Sequence, residues 1–526
     1  MGLNPEQAAV VINPEGARCV ISGPGSGKTT TLEALYEHLI ESGVPPSDIR
    51  GVTFSKEMAE QIKKRTHSKG VFSTFHSLGY EICSSVDRKP VEPEIRHRLV
   101  YGLTKKWRLD YKELDSFIGT MKRAGMSPDD AVETDTYRYG LVSAYMEYER
   151  ERLKGGWVGF DDMILDAVRL LEKPEFRARW QVQYLIVDEA QDTDSLQWKM
   201  MQLMSEQYGN ITVVGDVNQA IYAFRGAVPE NLTKFEQWFP DGRTLYLGKN
   251  YRSTKAIVKF VRDNVPKGTP QALLDSMVAA RNEQGAPIGL RMYWKDEDEA
   301  EAALKLSQAD PLNSILLVRT NRWAGLLERL CNHHGIRYHL LGRTGIWKTN
   351  EIRRALEALK SYTKNMKTTA ALSIVLPDLE RRYAVDDRTE ADNDALGNLE
   401  TLRDIAKEHP MLGDFLTYAN KMVHRRNDPR GVTISTVHQA KGGQWKNVYV
   451  LGVNAKGFPH PKGDDAEEQR IYFVAISRAV DFLRLSFSGT PSVFLRKYLT
   501  EEILDKLREK AEEVDRLQGQ HSLWGK

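Results

Sequence analysis

The stretch that decides the fold is ISGPGSGKTT, residues 21–30. A short β-branched run from Arg18 to Ser22 precedes it, and helical apolar spacing through Leu32, Leu35 and Leu39 follows it. Gly23, Gly25 and Gly27 allow the backbone to fold around phosphate groups with its N–H groups turned inward, at a helix start that favours negative charge. Lys28 is expected to reach the β and γ phosphates and the Thr29 hydroxyl to bind Mg²⁺, with Pro24, Ser26 and Thr30 completing the loop. The strict phosphate-loop pattern asks for glycine where Ser22 stands. A glycine-rich turn without nucleotide is the bland alternative, and the flanking strand and helix argue against it.

Working outward, short β-branched runs bounded by turn residues recur at 49–54, 71–74, 184–188, 211–215 and 244–247. A second set follows at 288–294, 314–318, 337–341, 432–436, 447–452 and 482–487. Helical patterns separate them and alternation is weak, which predicts two α/β domains in series, each with a buried parallel sheet. Residues 85–160 are strand-poor, with helical spacing at Tyr137, Leu141, Tyr145 and Tyr148, and residues 361–430 read as helices joined by polar turns. Both segments are expected to be helical insertions. The expected layout is therefore 1–84 with 161–253, then 254–360 with 431–498, and a C-terminal helix and tail over 499–526. That helix places Ile503, Leu504, Leu507, Ala511, Val514 and Leu517 on one face, as for packing on its own domain.

LIVDEAQD, residues 185–192, adds what a phosphate loop needs for hydrolysis. Counting from Tyr184, four residues of a buried strand lead into two adjacent carboxylates: Asp188 to hold Mg²⁺ and Glu189 to polarise the attacking water. The whole chain has 526 residues, 41% hydrophobic and 28% charged, with 74 Lys+Arg against 72 Asp+Glu. It is too long for one core. Near-neutrality excludes a histone-like coat of charge but leaves room for one phosphate-gripping groove. Cys19, Cys83 and Cys331 form neither a disulfide framework nor a zinc pattern, which fits a reducing cytoplasm. No apolar run is long enough to span a bilayer and the N-terminus carries no signal-peptide pattern, so neither membrane insertion nor secretion is expected.

Ten strings in one order then carry a resemblance: LNPEQAAV, GPGSGKTT, GVTFSKEMAEQIKKR, STFHSLGY, VGFDDMI, VDEAQDTD, VVGDVNQAIYAFRGA, LGKNYRST, STVHQAKGGQWKNV and EEQRIYFVAISRA. Over about residues 3–498, apart from most of the helical insertions, the chain resembles the UvrD/Rep (PcrA-like) group of superfamily 1 DNA helicases. The resemblance implies two RecA-like motor domains with ATP between them, moving 3′ to 5′ on single-stranded DNA. By motif match, Gln7 reads the adenine edge, Tyr251 lies against the adenine ring, and Gln219 senses the γ-phosphate. Arg252 and Arg478 reach the γ-phosphate, where an arginine finger contributes on the order of 10³ to 10⁵ in rate. The same match assigns Phe54, Tyr222, Phe224 and Phe494 to stacking or wedging of bases and places Thr74, His76, Thr436 and His438 near the DNA backbone. The two-residue spacing of Tyr222 and Phe224 puts both on one side of an extended segment. Two basic stretches, Lys63, Lys64, Arg65, His67 and Lys69, and Lys421, Arg425, Arg426 and Arg430, are candidate phosphate guides or solvated helix ends. The acidic run Asp296 to Glu299 with Glu301 reads as a helix N-terminus.

Departures from the family pattern are specific. Thr30 stands for the usual arginine beside the base, Gln444 for the glutamate at the ribose, and Phe224 for a tryptophan; TFSKEMA replaces TFTNKAA. The insertion at 361–430 is shorter than the family's second accessory subdomain, and a RecB-like or AddA-like helicase-nuclease is not expected. The expected substrates are single-stranded DNA and duplex with a 3′ single-stranded tail, in repair, recombination or replication, with a loading partner possible. Compact size suits a phage or accessory bacterial helicase. Two other readings compete: a P-loop kinase, for which GDVNQAIYAFRGA has no use, and an ATP-switched DNA-binding or protein-displacing factor that does not unwind.

Overall fold

The computed structural model describes residues 2–54, 56–66, 72–132, 139–223, 226–342, 345–383, 390–424, 427–461 and 463–520. It divides into two compact units: residues 1–250 with 269–277, and residues 251–268 with 278–526.

The first unit is built on a six-stranded parallel sheet. Its strands are β1 (Ala17–Ser22), β2 (Ile49–Thr53), β3 (Phe72–Thr74), β6 (Tyr184–Val187), β7 (Ile211–Gly215) and β8 (Arg243–Leu247), in the order β3-β2-β6-β7-β1-β8. The intervening β4 (Lys89–Pro90) and β5 (Trp157–Val158) pair only with each other. The inner strands β1, β2, β6 and β7 are buried along most of their length, β6 and β7 throughout, as expected of a parallel sheet covered by helices, whereas the edge strands β3 and β8 are only partly buried. Every expected strand of this half is present within a residue or two. Register does the rest: Ala17 pairs with Ile211 and Leu185 also pairs with Ile211, so β1, β7 and β6 end side by side at their carboxyl ends. In open parallel sheets that edge is where ligands bind.

Between β4 and β5 the chain forms the helices Pro93–Trp107, Tyr111–Arg123, Pro128–Val132 and Tyr139–Lys154. Val100, Leu103, Leu114, Ile118, Leu141, Ala144, Tyr145 and Tyr148 make their separate core. Tyr137 lies outside the described residues.

The second unit carries β9 (Gly289–Tyr293), β10 (Ser314–Val318), β11 (Tyr338–Leu340), β12 (Val432–Thr436), β13 (Trp445–Val450) and β14 (Ala479–Ser488). All pair in parallel, in the order β11-β12-β10-β13-β14-β9. Helices Asn350–Leu359, Thr368–Tyr383, Glu390–Lys407 and Leu412–Val423 pack around a second core that includes Leu372, Leu376, Leu402 and Phe415. The acidic run does begin a helix, Asp296–Ser307. The C-terminal helix Glu501–Gln520 buries Leu507 and Ala511 and packs against β9 of its own unit, while Ile503 stays exposed. No helix among the described residues is long and apolar enough to cross a membrane.

Candidate nucleotide site and aromatic platform

The phosphate loop leaves β1 at Ser22, whose hydroxyl donates to the Gly215 carbonyl at 3.0 Å. Gly23 N–H donates to Leu247 O at 2.8 Å and the Asn250 amide donates to Pro24 O at 2.7 Å, so the loop is held by the ends of both neighbouring strands. Gly27 sits at φ +82°, a left-handed conformation that an L side chain strains to adopt. A Cβ there would come within 2.8 Å of Gln7 Nε2. The helix Lys28–Glu41 starts at Gly27 with no side-chain cap. Its first N–H groups, which have no intrahelical acceptors, are thus left to an anion.

Lys28 Nζ pairs with Glu189 Oε2 at 3.2 Å, both side chains being 13% exposed. Burial opposes the lysine's charge, but Glu189, Asp216 and Asp188 outweigh it and hold its pKa above the ordinary value. Burial in turn pushes Asp188 up to about 7, with the neighbouring Glu189 adding to the shift, and it raises Asp216 as well. Three carboxylates thus share one lysine. Asp188 Oδ1 accepts from Glu189 N–H at 2.9 Å, while its buried Oδ2 has no hydrogen-bond partner. An excess of buried negative charge with one orphaned oxygen is a set of donors that fits Mg²⁺. Thr29, half-buried on the first turn of the helix, is the second candidate ligand. Glu189 itself has φ +52°, a strained backbone for a non-glycine residue of the kind concentrated at functional sites.

One participant was not visible in the sequence. Gln191, fully buried, accepts from Asp216 N–H at 2.9 Å, which fixes the orientation of its amide because a backbone N–H can only donate. Its Nε2 therefore donates to Glu189 Oε2, at 2.5 Å. A Cβ on Gly215 would stand 2.7 Å from the Gln191 oxygen, so glycine at the end of β7 is what admits the bridge. Asp216 then accepts from the Gln219 amide. The result is a continuous polar connection from Lys28 through Glu189, Gln191 and Asp216 to Gln219.

Beyond Gln219 the chain reaches Tyr222, whose ring stacks on Phe54 with centroids 5.2 Å apart and planes 13° from parallel. Two of the expected DNA aromatics are thereby joined into one platform from separate strand ends. Phe224 lies outside the described residues, as do His67, Lys69, Arg425 and Arg426. His76 stacks at 3.8 Å on Phe160, a ring 65% exposed that the sequence reading left without a role. Burial lowers the His76 pKa to about 4, so it is neutral at physiological pH. Thr74 caps the following helix by accepting from Ser77 N–H at 3.2 Å. Of the first basic stretch, Lys63 pairs with Glu60 and Lys64 is exposed.

Other expectations meet a different setting. Gln7, expected at the adenine edge, donates to Ser26 O of the loop at 3.1 Å and accepts from Asn4 N–H in the capping box of its own helix, Pro5–Ile12, so both ends of its amide are engaged. Thr30 is exposed on the helix Lys28–Glu41.

In the second unit Arg252 donates to Gln444 Oε1 and to Ser477 O, each at 2.8 Å, which brings two expected nucleotide contacts together. Arg478 is 1% exposed and donates to Val474 O, Gly443 O and Ser477 Oγ. Tyr251 is 40% exposed. Thr436 ends β12 buried, and His438 is half-buried in the turn after it. Phe494 stacks on buried Tyr472 at 4.7 Å, so one of its faces is packed within the unit. In the second basic stretch Lys421 is exposed and Arg430 is engaged by Asp428.

Residues 3–89 and 84–240 match the UvrD/REP helicase N-terminal domain, and 245–391 and 376–490 match the UvrD-like helicase C-terminal domain. The chain belongs to the UvrD/REP helicase family. Its relatives include YjcD of Bacillus subtilis, 28% identical over 602 residues covering 92% of this chain and 79% of that one. The ATP-dependent DNA helicase PcrA of Staphylococcus epidermidis is 26% identical, covering 96% of this chain and 87% of the relative. PcrA of Staphylococcus aureus is 25% identical, covering 94% and 84%. Membership makes this a chain of two RecA-like motor domains in a family of ATP-dependent DNA helicases.

Proposed function

We propose that this UvrD-like chain is an ATP-driven translocase on single-stranded DNA that moves 3′ to 5′ and separates duplex. The observation that carries the reading is the polar connection from Lys28 to Gln219, which runs from the phosphate loop to the segment bearing the Phe54–Tyr222 platform. Bound Mg²⁺ would neutralise charge on the β and γ phosphates, with Thr29 and Asp188 as its ligands. Lys28 exchanges part of its pairing with Glu189 for phosphate oxygens, and the released carboxylate accepts a proton from the attacking water. Gln191 keeps that carboxylate oriented. Gln219 registers the state of the γ-phosphate in this reading and passes it to Tyr222.

By resemblance, Arg252 and Arg478 add positive charge at the γ-phosphate, and to do so they must exchange the carbonyl, hydroxyl and amide partners they hold within the second unit. Gln7, Tyr251 and Gln444 are assigned to the base and ribose on the same ground. On DNA, stacking on the aromatic platform contributes about 1–3 kcal/mol per base and accepts any sequence. Phe160, open to solvent on its partner His76, extends the set of rings available to bases.

The test is steady-state ATP turnover with and without single-stranded DNA, with Lys28→Ala as the control. Strong stimulation that the variant lacks is the expected result. A rate indifferent to DNA overturns the motor in favour of an ATP-switched binding factor.

A further inference from the structure

The second sheet carries two arginines with no counter-charge. Parallel register places Tyr449 of β13, Arg484, Ser486 and Ser488 of β14, and Gly289, Arg291 and Tyr293 of β9 on one face: Arg484 lies between Tyr449 and Gly289, Ser486 beside Arg291, and Ser488 beside Tyr293. Arg484 and Arg291 are thus diagonal neighbours on strands about 5 Å apart. A Cβ on Gly289 would stand 3.3 Å from Arg484 Cγ and Nε, so glycine gives that side chain its room. The Arg484 guanidinium lies 5.4 Å from the Phe482 ring centroid, and its buried Nε has no hydrogen-bond partner. Arg291 donates to the neutral Leu290 carbonyl at 2.8 Å. Neither arginine forms an ion pair among the described residues. The acids around this face are engaged elsewhere: Glu299 accepts from Gly452 N–H and Ser486 Oγ, Asp296 from Ser488 Oγ, and Asp310 from the Asn313 and Asn447 amides. Burial lowers the Arg484 pKa and Arg291 lowers it further; Tyr293 and Tyr449 oppose the shift, and no carboxylate contributes.

We propose that Arg291 and Arg484, with the Tyr293 and Tyr449 hydroxyls beside them, form a site for a doubly charged tetrahedral oxyanion: phosphate, either free or as the monoester of a small molecule. Two guanidinium groups that repel each other balance two negative charges, which a single carboxylate does not supply. Guanidinium only donates hydrogen bonds and a phenol can donate, so the four groups together suit a ligand made of acceptors. Tyr293 and Tyr449 are each 8% exposed, which fixes where their hydroxyls stand. Both arginines are half-buried, so each keeps one side open to a ligand from solvent. The site lies within the second unit, shares no residue with the groups assigned to nucleotide or DNA, and does not depend on the motor reading.

The test is calorimetric titration of the full chain with inorganic phosphate and, separately, with methyl phosphate. Saturating ADP keeps the phosphate loop filled, and chloride holds the ionic strength constant. Arg484→Met keeps an unbranched stem over Phe482, and Arg291→Met alters only the edge strand β9. The wild-type chain is expected to bind phosphate saturably, and each variant to lose at least about tenfold in affinity, as for a lost charge-assisted hydrogen bond. Thermal unfolding distinguishes a lost site from a damaged fold. In phosphate-free chloride both variants are expected to melt at or above the wild-type Tm, because an unbalanced charge is gone, and phosphate should raise the wild-type Tm more than that of either variant. Tighter binding of methyl phosphate than of inorganic phosphate would identify a phosphorylated small molecule as the ligand, and the reverse would identify free phosphate. Absence of saturable binding overturns the inference, as does equal affinity in the wild type and both variants, which would place the anion elsewhere on the chain. Melting of both variants well below the wild type in chloride also overturns it, because the arginines would then serve the fold.

Discussion

At the scale of single residues, the carboxylates around Lys28 define what hydrolysis requires. Lys28→Ala removes a cation paired with Glu189, and Glu189→Gln removes the base; each is expected to abolish measurable turnover. Gln191→Ala is expected to lower kcat by about 10–100-fold while leaving the KM for ATP near its wild-type value, since the amide orients Glu189 and contacts no phosphate. A rise in KM with kcat intact would instead make Gln191 part of the binding surface. Glu189 was legible as a carboxylate at a strand end and Gln219 through the resemblance, but an amide within an acidic stretch reads in sequence as polar surface. Only the register of β6 against β7 reveals that it bridges Glu189 to Asp216.

Glu299 shows the same gap between a sequence pattern and its setting. It belongs to an acidic helix start, yet it is fully buried, accepting from Gly452 N–H at 2.7 Å and Ser486 Oγ at 2.6 Å with its other oxygen unpartnered. Burial pushes its pKa up to about 8. An acid whose folded pKa lies above its unfolded one binds a proton more tightly when folded, so stability falls as pH rises from the ordinary carboxylate range through about 8. Glu299→Gln, which mimics the protonated form, is expected to flatten the decline of Tm between about pH 5 and pH 9. Parallel Tm curves for the two proteins would reject the assignment.

At the scale of elements, the platform comes from two loops that leave different strands. Phe54 follows β2 and Tyr222 follows β7, and the central part of the sheet sets their spacing. Phe54→Ala is expected to weaken DNA stimulation of ATP turnover while the DNA-free rate persists. Loss of one stacked base corresponds to about 1–3 kcal/mol, or roughly 5- to 150-fold in the half-saturating DNA concentration. Unchanged stimulation would return the pair to a packing role. Motif matching selected both rings individually. It did not select Phe160, because an aromatic ahead of Asp161 and Asp162 reads as a helix start until its exposure and its stacking on His76 are seen.

At the scale of the whole molecule, the first unit depends on a buried charge cluster that ties its helical insertion to the helix Phe160–Leu171. Lys122 pairs with Glu149 and Asp162; Arg152 with Glu149, Asp162 and Asp166; and Arg88 with Asp166. Lys122 and Arg152 are each 1% exposed, so removing one partner strands charge in low dielectric. Arg152→Met is expected to destabilise the unit by about 3–5 kcal/mol, measured by urea unfolding. A loss below about 1 kcal/mol would mean that water reaches the cluster. For the proposed motor as a whole, unwinding is expected on a 3′-tailed duplex and not on a 5′-tailed one, and the reverse preference would refute the polarity.

The amino-acid sequence by itself determined the twelve strands of the two sheets, the phosphate loop and the carboxylates after β6, because buried β-branched runs and glycine turns are local signals with few alternative structures. It also determined the family, through ten motifs in a fixed order. What only the tertiary structure decided are the partnerships: Gln191 between Glu189 and Asp216, Phe160 on His76, the buried state of Glu299, and the holding of Arg478 within its own unit. These depend on which strand ends lie side by side and on what burial does to charge. Neither is encoded within any window of neighbouring residues.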